Sequence, residues 1–213
     1  SIGRKIAMAL SGVFLIVFLT QHFIINITSV FSEDIFNMLS HFMGNNPLVQ
    51  FILQPILIAG VLFHFVMGFV LEWQNRKARP VTYAMYKGSK NSMFVSRNMI
   101  ISGIVILSFL VLHFYDFWVP EMDYKYIQVK PEDPDRYYEE LIHKFESPIR
   151  VSLYCLSFIF LGLHLVHGLS SSTQSLGTNN KYASTIQKIS YAFGIGIPLG
   201  FCFIALYHFF IHL

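Results

Sequence analysis

The sequence predicts an all-α membrane protein, a bundle of five transmembrane helices forming a single domain over residues 1–213. Three observations carry that prediction. Hydrophobic residues make up 54% of the chain and charged residues only 13%, about half the charged share of a soluble domain. Mean hydropathy is +0.53. Five stretches, each near the roughly 20 residues that a bilayer-crossing helix needs, are almost free of Asp, Glu, Lys and Arg. An aqueous globule of this size could not hide so much apolar surface, and disorder and a nucleic-acid-binding domain are excluded with it. Cys155 and Cys202 both sit in apolar runs, so neither a disulfide scaffold nor a zinc-type spacing is expected.

The spans are expected at about 6–31, 48–73, 97–118, 149–170 and 187–211. The first is too long and wrongly flanked for a signal peptide. The start at Ser1 rather than methionine is expected to reflect a few residues missing or removed. Between the first two spans, the charge-free run Ile35–Leu71 exceeds one helix, and Gly44-Asn45-Asn46-Pro47 breaks it into a short amphipathic piece and the second span. The fourth span stops before the polar tract Ser170–Gln174. Between the third and fourth spans, prolines 131, 134 and 148 punctuate an acidic loop in which Asp135–Phe145 forms a short surface helix. No internal repeat is evident.

Lys and Arg mark the cytoplasmic side of a membrane protein. Arg4 and Lys5 open the chain. Arg76, Lys77, Arg79, Lys87, Lys90 and Arg97 fill the loop between spans two and three, Lys181 precedes the fifth span and Lys188 lies at its start. The alternate loops are acidic or poor in base. The expected topology has the amino terminus in the cytoplasm and the carboxy terminus outside, with Trp73 and Trp118 at the interfaces. The basic loop also suits a docking face for a cytoplasmic partner.

Nine histidines are many for so apolar a chain. Ionisable residues inside spans are rare and are candidates for function. Spans one to four each carry one: His22, His64, His113 and His164. At 1.5 Å per residue from the cytoplasmic end of each span, His22 and His113 lie roughly 25 and 24 Å deep, His64 roughly 15 Å and His164 roughly 10 Å. That sorts them into an outer pair and an inner pair. A bare dication with two neutral ligands in hydrocarbon would be costly, and zinc wants four ligands. A haem needs only two axial imidazoles from the protein. Without a Cys-x-x-Cys-His motif it would be non-covalent haem b, and two axial histidines favour electron transfer over oxygen binding. Two haems b are therefore expected. His167, one turn from His164, is an alternative ligand or a propionate contact. Trp73, Arg76, Lys77, Ser96 and Arg97 are propionate candidates near the inner pair. Asn26 and His41 are candidates for binding a quinone on the outer side. His143, His208 and His212 are expected to be solvated or interfacial.

Several fragments resemble a known family in order. Ser1-Ile2-Gly3-Arg4-Lys5, then Ala9-Leu10-Ser11-Gly12 and Gln21-His22, resembles the first helix of the cytochrome b subunit of succinate:quinone oxidoreductases, the succinate dehydrogenases and fumarate reductases. Arg79-Pro80-Val81-Thr82-Tyr83 resembles the family's cytoplasmic loop, and His164-Leu165-Val166-His167-Gly168-Leu169 its fourth-ligand motif. The likeness is to the single-subunit, five-helix, dihaem type of menaquinone-dependent bacteria. It implies a non-catalytic electron-transfer anchor in the bacterial cytoplasmic membrane. His64 and His164 would hold the proximal haem, and His22 and His113 the distal one. The partners implied are a cytoplasmic iron–sulfur subunit, a flavoprotein subunit that carries the dicarboxylate site, lipid and menaquinone; a dimer or trimer of the complex is allowed for. The acidic residues some dihaem fumarate reductases use on the outer side and before the fourth ligand have no match in Ser40–Gly44 or Gly162-Leu163. The alternatives are a b-type anchor of a hydrogenase or formate dehydrogenase, and a haem-free transporter with histidine relays.

Overall fold

A computed structural model describes residues 2–77, 99–177 and 182–212. All the regular structure among them is helical. Seven helices are labelled here: α1 (Ile2–Thr28), α2 (Glu33–Asn45), α3 (Val49–Lys77), α4 (Met99–Ile127), α5 (Arg136–Phe145), α6 (Pro148–Ser175) and α7 (Ala183–Ile211). Five of them, α1, α3, α4, α6 and α7, are long and apolar enough to cross a membrane. The chain is thus a multi-pass helical bundle. The near end carries the start of α1, and the far end carries α2 and α5.

Local chemistry sets the boundaries. The Ser32 hydroxyl accepts from the Ile35 amide, and Glu33 and Asp34 occupy the first turn of α2, where the helix dipole favours negative charge. Asn46 caps its end, and the chain re-enters helix after Pro47 through a π-helical turn, Val49–Leu53, at the head of α3. Ser147 caps α6, with Pro148 in its first turn.

Two elements differ from expectation. The hydroxyl-rich end of α6 stays helical to Ser175, because Thr173 and Ser175 donate to the carbonyls of Ser170 and Ser171, each at 2.9 Å. Helix α4 runs nine residues past Trp118, through π-helical turns at Phe114–Trp118 and Asp123–Ile127.

Helices α1, α3, α4 and α6 pack in that order round a ring, so α1 lies diagonally from α4, and α3 from α6. Helix α7 lies against α6 and α1 outside the ring. The core concentrates at the far end, where Phe36, Leu141, Phe145, Val151, Tyr154, Phe158, Phe201, Ile204 and Ala205 form one buried cluster. Asn37, buried on α2, ties the two surface helices together: it donates to the Asp135 carbonyl at 2.9 Å and accepts from the Tyr138 amide at 2.8 Å. By contrast, α3 has no fully buried residue within this chain.

Small residues set the α6–α7 approach. Pro198 lacks the N–H that would bond the Gly194 carbonyl within α7. A Cβ on Gly162 would sit 3.1 Å from that carbonyl, and one on Gly194 only 2.8 Å from the Val166 backbone nitrogen. Nothing lies within 4 Å of a Cβ on Gly196. Gly194→Ala should therefore push the two helices apart and destabilise the protein by about 1–3 kcal/mol. Thermal unfolding in detergent should show a lowered midpoint for this variant and none for Gly196→Ala.

Candidate functional site

The four span histidines meet across the diagonals of the ring. His22 on α1 faces His113 on α4 with ring centres 5.7 Å apart and planes nearly perpendicular. His64 on α3 faces His164 on α6 at 6.3 Å. Both separations are close to that of two imidazoles on one metal ion, about 6 Å, being two metal–nitrogen bonds of about 2 Å plus the ring radii.

In the near pair the tautomer is fixed. The Ser11 hydroxyl donates to the Met8 carbonyl at 2.8 Å and lies 3.0 Å from His64 Nδ1. Its proton is used, so it accepts from Nδ1–H. Ser102 repeats the arrangement, donating to the Met99 carbonyl at 2.9 Å and lying 3.2 Å from His164 Nδ1. Each ring is left with a lone pair on Nε2, the form in which a histidine ligates a metal while its other nitrogen is hydrogen-bonded.

The far pair lies in an aromatic sleeve. Phe18 stacks on His22 and Phe109 on His113, each at 5.6 Å. Phe117 and Tyr154 close on His113, and Phe201 on His22. His113 Nδ1 is buried with no hydrogen-bond partner.

These contacts expose a repeat that the sequence reading missed. A Ser-Gly pair is followed by Phe seven residues and His eleven residues after the serine, at Ser11-Gly12, Phe18 and His22, and again at Ser102-Gly103, Phe109 and His113. The partner helices repeat His-x-Val-x-Gly from His64 and from His164. Each half is a helical hairpin with a short helix at its far turn, α2 in one and α5 in the other. Eleven residues are close to three helical turns, so each serine shares a face with its histidine, roughly 16 Å along the axis. The signal was present but was masked by the apolar filler between fixed positions. The glycines lie next to the near rings: a Cβ on Gly12 would stand 3.6 Å from His64 Cε1, and one on Gly103 4.0 Å from His164 Cε1.

The remaining candidates divide. His167 lies one turn along α6, but the ring facing His64 is His164. Arg76 is paired with Glu72 at 2.6 Å, and Lys77 lies over the exposed Trp73. Ser96 and Arg97 lie outside the described residues, as does the Arg79–Tyr83 fragment. Asn26 donates to the His22 carbonyl at 2.8 Å. His41 is engaged through Nδ1 with Asn45 at 2.8 Å and packs against Tyr137, whose hydroxyl burial and the nearby Glu121 push up to about 12. Neither lines the apolar groove of about 550 Å³ between α1 and α2, whose walls include Val17, Thr20, Gln21, Ile24, Phe42 and Met43.

His208, expected at an interface, is instead buried, with Nε2 2.9 Å from the Ser29 hydroxyl and its ring against Tyr138. Helix α5 covers the end of α7, which the sequence pattern did not show. The sequence reading also passed over Asp116, which is fully buried beside Arg150 and Tyr154.

Among the described residues no group of three or more His, Cys, Asp or Glu side chains could hold a metal ion. The donor sets are paired imidazoles, which suit an ion whose other ligands come from a macrocycle and fall short of what bare zinc requires. No family profile, curated protein or solved structure matches the chain.

Replacing Ser11 and Ser102 by alanine should remove the tautomer preference of the near pair. Nitrogen-15 NMR of histidine-labelled protein should show Nδ1-protonated rings at His64 and His164 in the parent and mixed tautomers in the double variant.

Proposed function

We propose that the chain is a dihaem cytochrome b, the membrane anchor of a succinate:quinone oxidoreductase. The observation that carries this reading is the presence of two diagonal histidine pairs, each at the ring separation of two imidazoles sharing one iron. The resemblance of the sequence fragments to that family adds the enzyme.

In this reading His64 and His164 hold one haem at the near end and His22 and His113 the other. A bis-imidazole haem b supplies a one-electron carrier whose iron keeps no open position for oxygen. Ser11 and Ser102 hold the near rings in the ligating tautomer and raise their basicity. Phe18 and Phe109 fix the far rings by stacking and keep water from them. The two layers lie roughly 16 Å apart along the bundle.

Arg4, Lys5, Arg76, Lys77 and Lys188 lie toward the near ends of α1, α3 and α7, the end that the positive-inside rule assigns to the cytoplasm. That is the face for an iron–sulfur partner, which would cover α3 or its end. The groove between α1 and α2 is an apolar berth for menaquinone at the level of His22, with Thr20 and Gln21 as its polar groups. The repeat is of the parallel kind also found in transporters, but the residues it repeats are the histidines and the side chains that hold them.

Purification from native membranes tests the assignment of the enzyme. A flavoprotein and an iron–sulfur protein should accompany the chain, and succinate or a reduced menaquinone analogue should reduce the b-haem absorption. Nickel or molybdenum in the partner would move the chain to a hydrogenase or formate dehydrogenase, and haem-free transport would remove the electron-transfer reading.

A further inference from the structure

A buried carboxylate, Asp116, lies one turn beyond His113, within the π-helical turn Phe114–Trp118. Such turns are frequent at functional sites. Its side chain is 0% exposed. Arg150 Nε approaches Oδ2 at 3.0 Å, and the Tyr154 hydroxyl donates to the same oxygen at 2.9 Å. Oδ1 is buried with no hydrogen-bond partner. Tyr154 also sets its ring edge against His113, with centres 6.2 Å apart, and against Phe109, which stacks on His113. One aromatic residue therefore touches both the carboxylate and the far histidine pair.

The two halves of the repeat differ here. Three residues past its histidine, the first half carries Ile25, an apolar residue packed on the core cluster. The second half carries Asp116. The near pair has no counterpart among the described residues, since its supports are the two serines. A buried ion pair is weak evidence for stability, because desolvation offsets much of the attraction. Its value lies in what a fixed charge does to neighbouring chemistry in a low-dielectric interior.

We infer that Asp116, Arg150 and Tyr154 form a positioning group that sets the redox potential of the far site and leaves the near site untouched. This rests on the proposed dihaem reading. The carboxylate stabilises the oxidised, more positive state of a carrier held by His22 and His113. Arg150, further out and 29% exposed, is partly screened by solvent and does not cancel it. The result is a far site held at lower potential than its aromatic surroundings alone would give.

The test is a potentiometric titration of the full chain in its complex, following the two b-haem absorptions. Asp116→Asn keeps the shape and leaves Arg150 unbalanced. It should raise the far potential, favouring the reduced form about tenfold, which for one electron is about 59 mV. Arg150→Gln leaves the carboxylate alone and should shift the far potential the opposite way, which keeps the test usable if Asp116→Asn does not accumulate. The double variant should lie above the parent and below Asp116→Asn, because the carboxylate outweighs the partly screened Arg150. The near potential should stay fixed throughout. Far potentials unchanged in both single variants, or equal shifts at both sites, would overturn the inference and leave a structural ion pair. A parent chain without haem would instead overturn the dihaem reading on which the inference stands.

Discussion

An imidazole placed inside an apolar bundle has one N–H to donate and one lone pair to satisfy, and no water is at hand to do either. Unpaired polar groups are costly there. The chain solves half of this problem at the near end, where two serines accept the Nδ1–H bonds of His64 and His164. Across the diagonals the rings of each pair stand with centres 5.7 and 6.3 Å apart, and in the proposed reading a haem iron held between them takes up the imidazole lone pairs. The placement of the helices, the small residues beside the rings and the proposed chemistry all follow from that constraint.

The duplicated hairpin explains how the constraint is met at two depths with few residue types. On α1 and α4 the same face offers a serine to one layer and a histidine to the other. Each helix therefore holds one ring with its own side chain and steadies a second ring that belongs to a neighbour in the ring of helices. Loss of one of these helices would disturb both layers. The halves then diverge at the far end, where Ile25 faces apolar neighbours and Asp116 meets Arg150 and Tyr154. In the proposed reading, this divergence is where the bundle makes its two haem sites unlike.

Much of the architecture was legible in the sequence. Hydropathy located five spans, since an apolar stretch of about 20 residues has few other fates, and the Gly44–Pro47 break marked the end of α2. Depth counting placed His22 with His113 and His64 with His164, and those are the rings found opposite each other across the bundle, edge-on. Less was legible where the signal lay in side-chain direction rather than composition. Ser11 and Ser102 are unremarkable as residues, and only their position beside a ring on another helix gives them a role. Asp116 was hidden because one carboxylate at a span end resembles a solvated cap; its burial depends on Arg150, 34 residues later in the chain. His208 was misplaced for the same reason, because the helix that covers it is separate in sequence. The ends of α4 and α6 ran longer than composition suggested, since π-helical turns and back-bonded hydroxyls let polar residues stay helical.

The central claim is that each diagonal pair holds one haem iron. The direct measurement is a pyridine haemochrome count per chain, with a reduced-minus-oxidised spectrum, on three proteins: the parent, a His22→Ala/His113→Ala variant and a His64→Ala/His164→Ala variant. Two b haems in the parent and one in each variant, with different spectra remaining, are expected. No haem in the parent, or both haems retained in either variant, would contradict the claim.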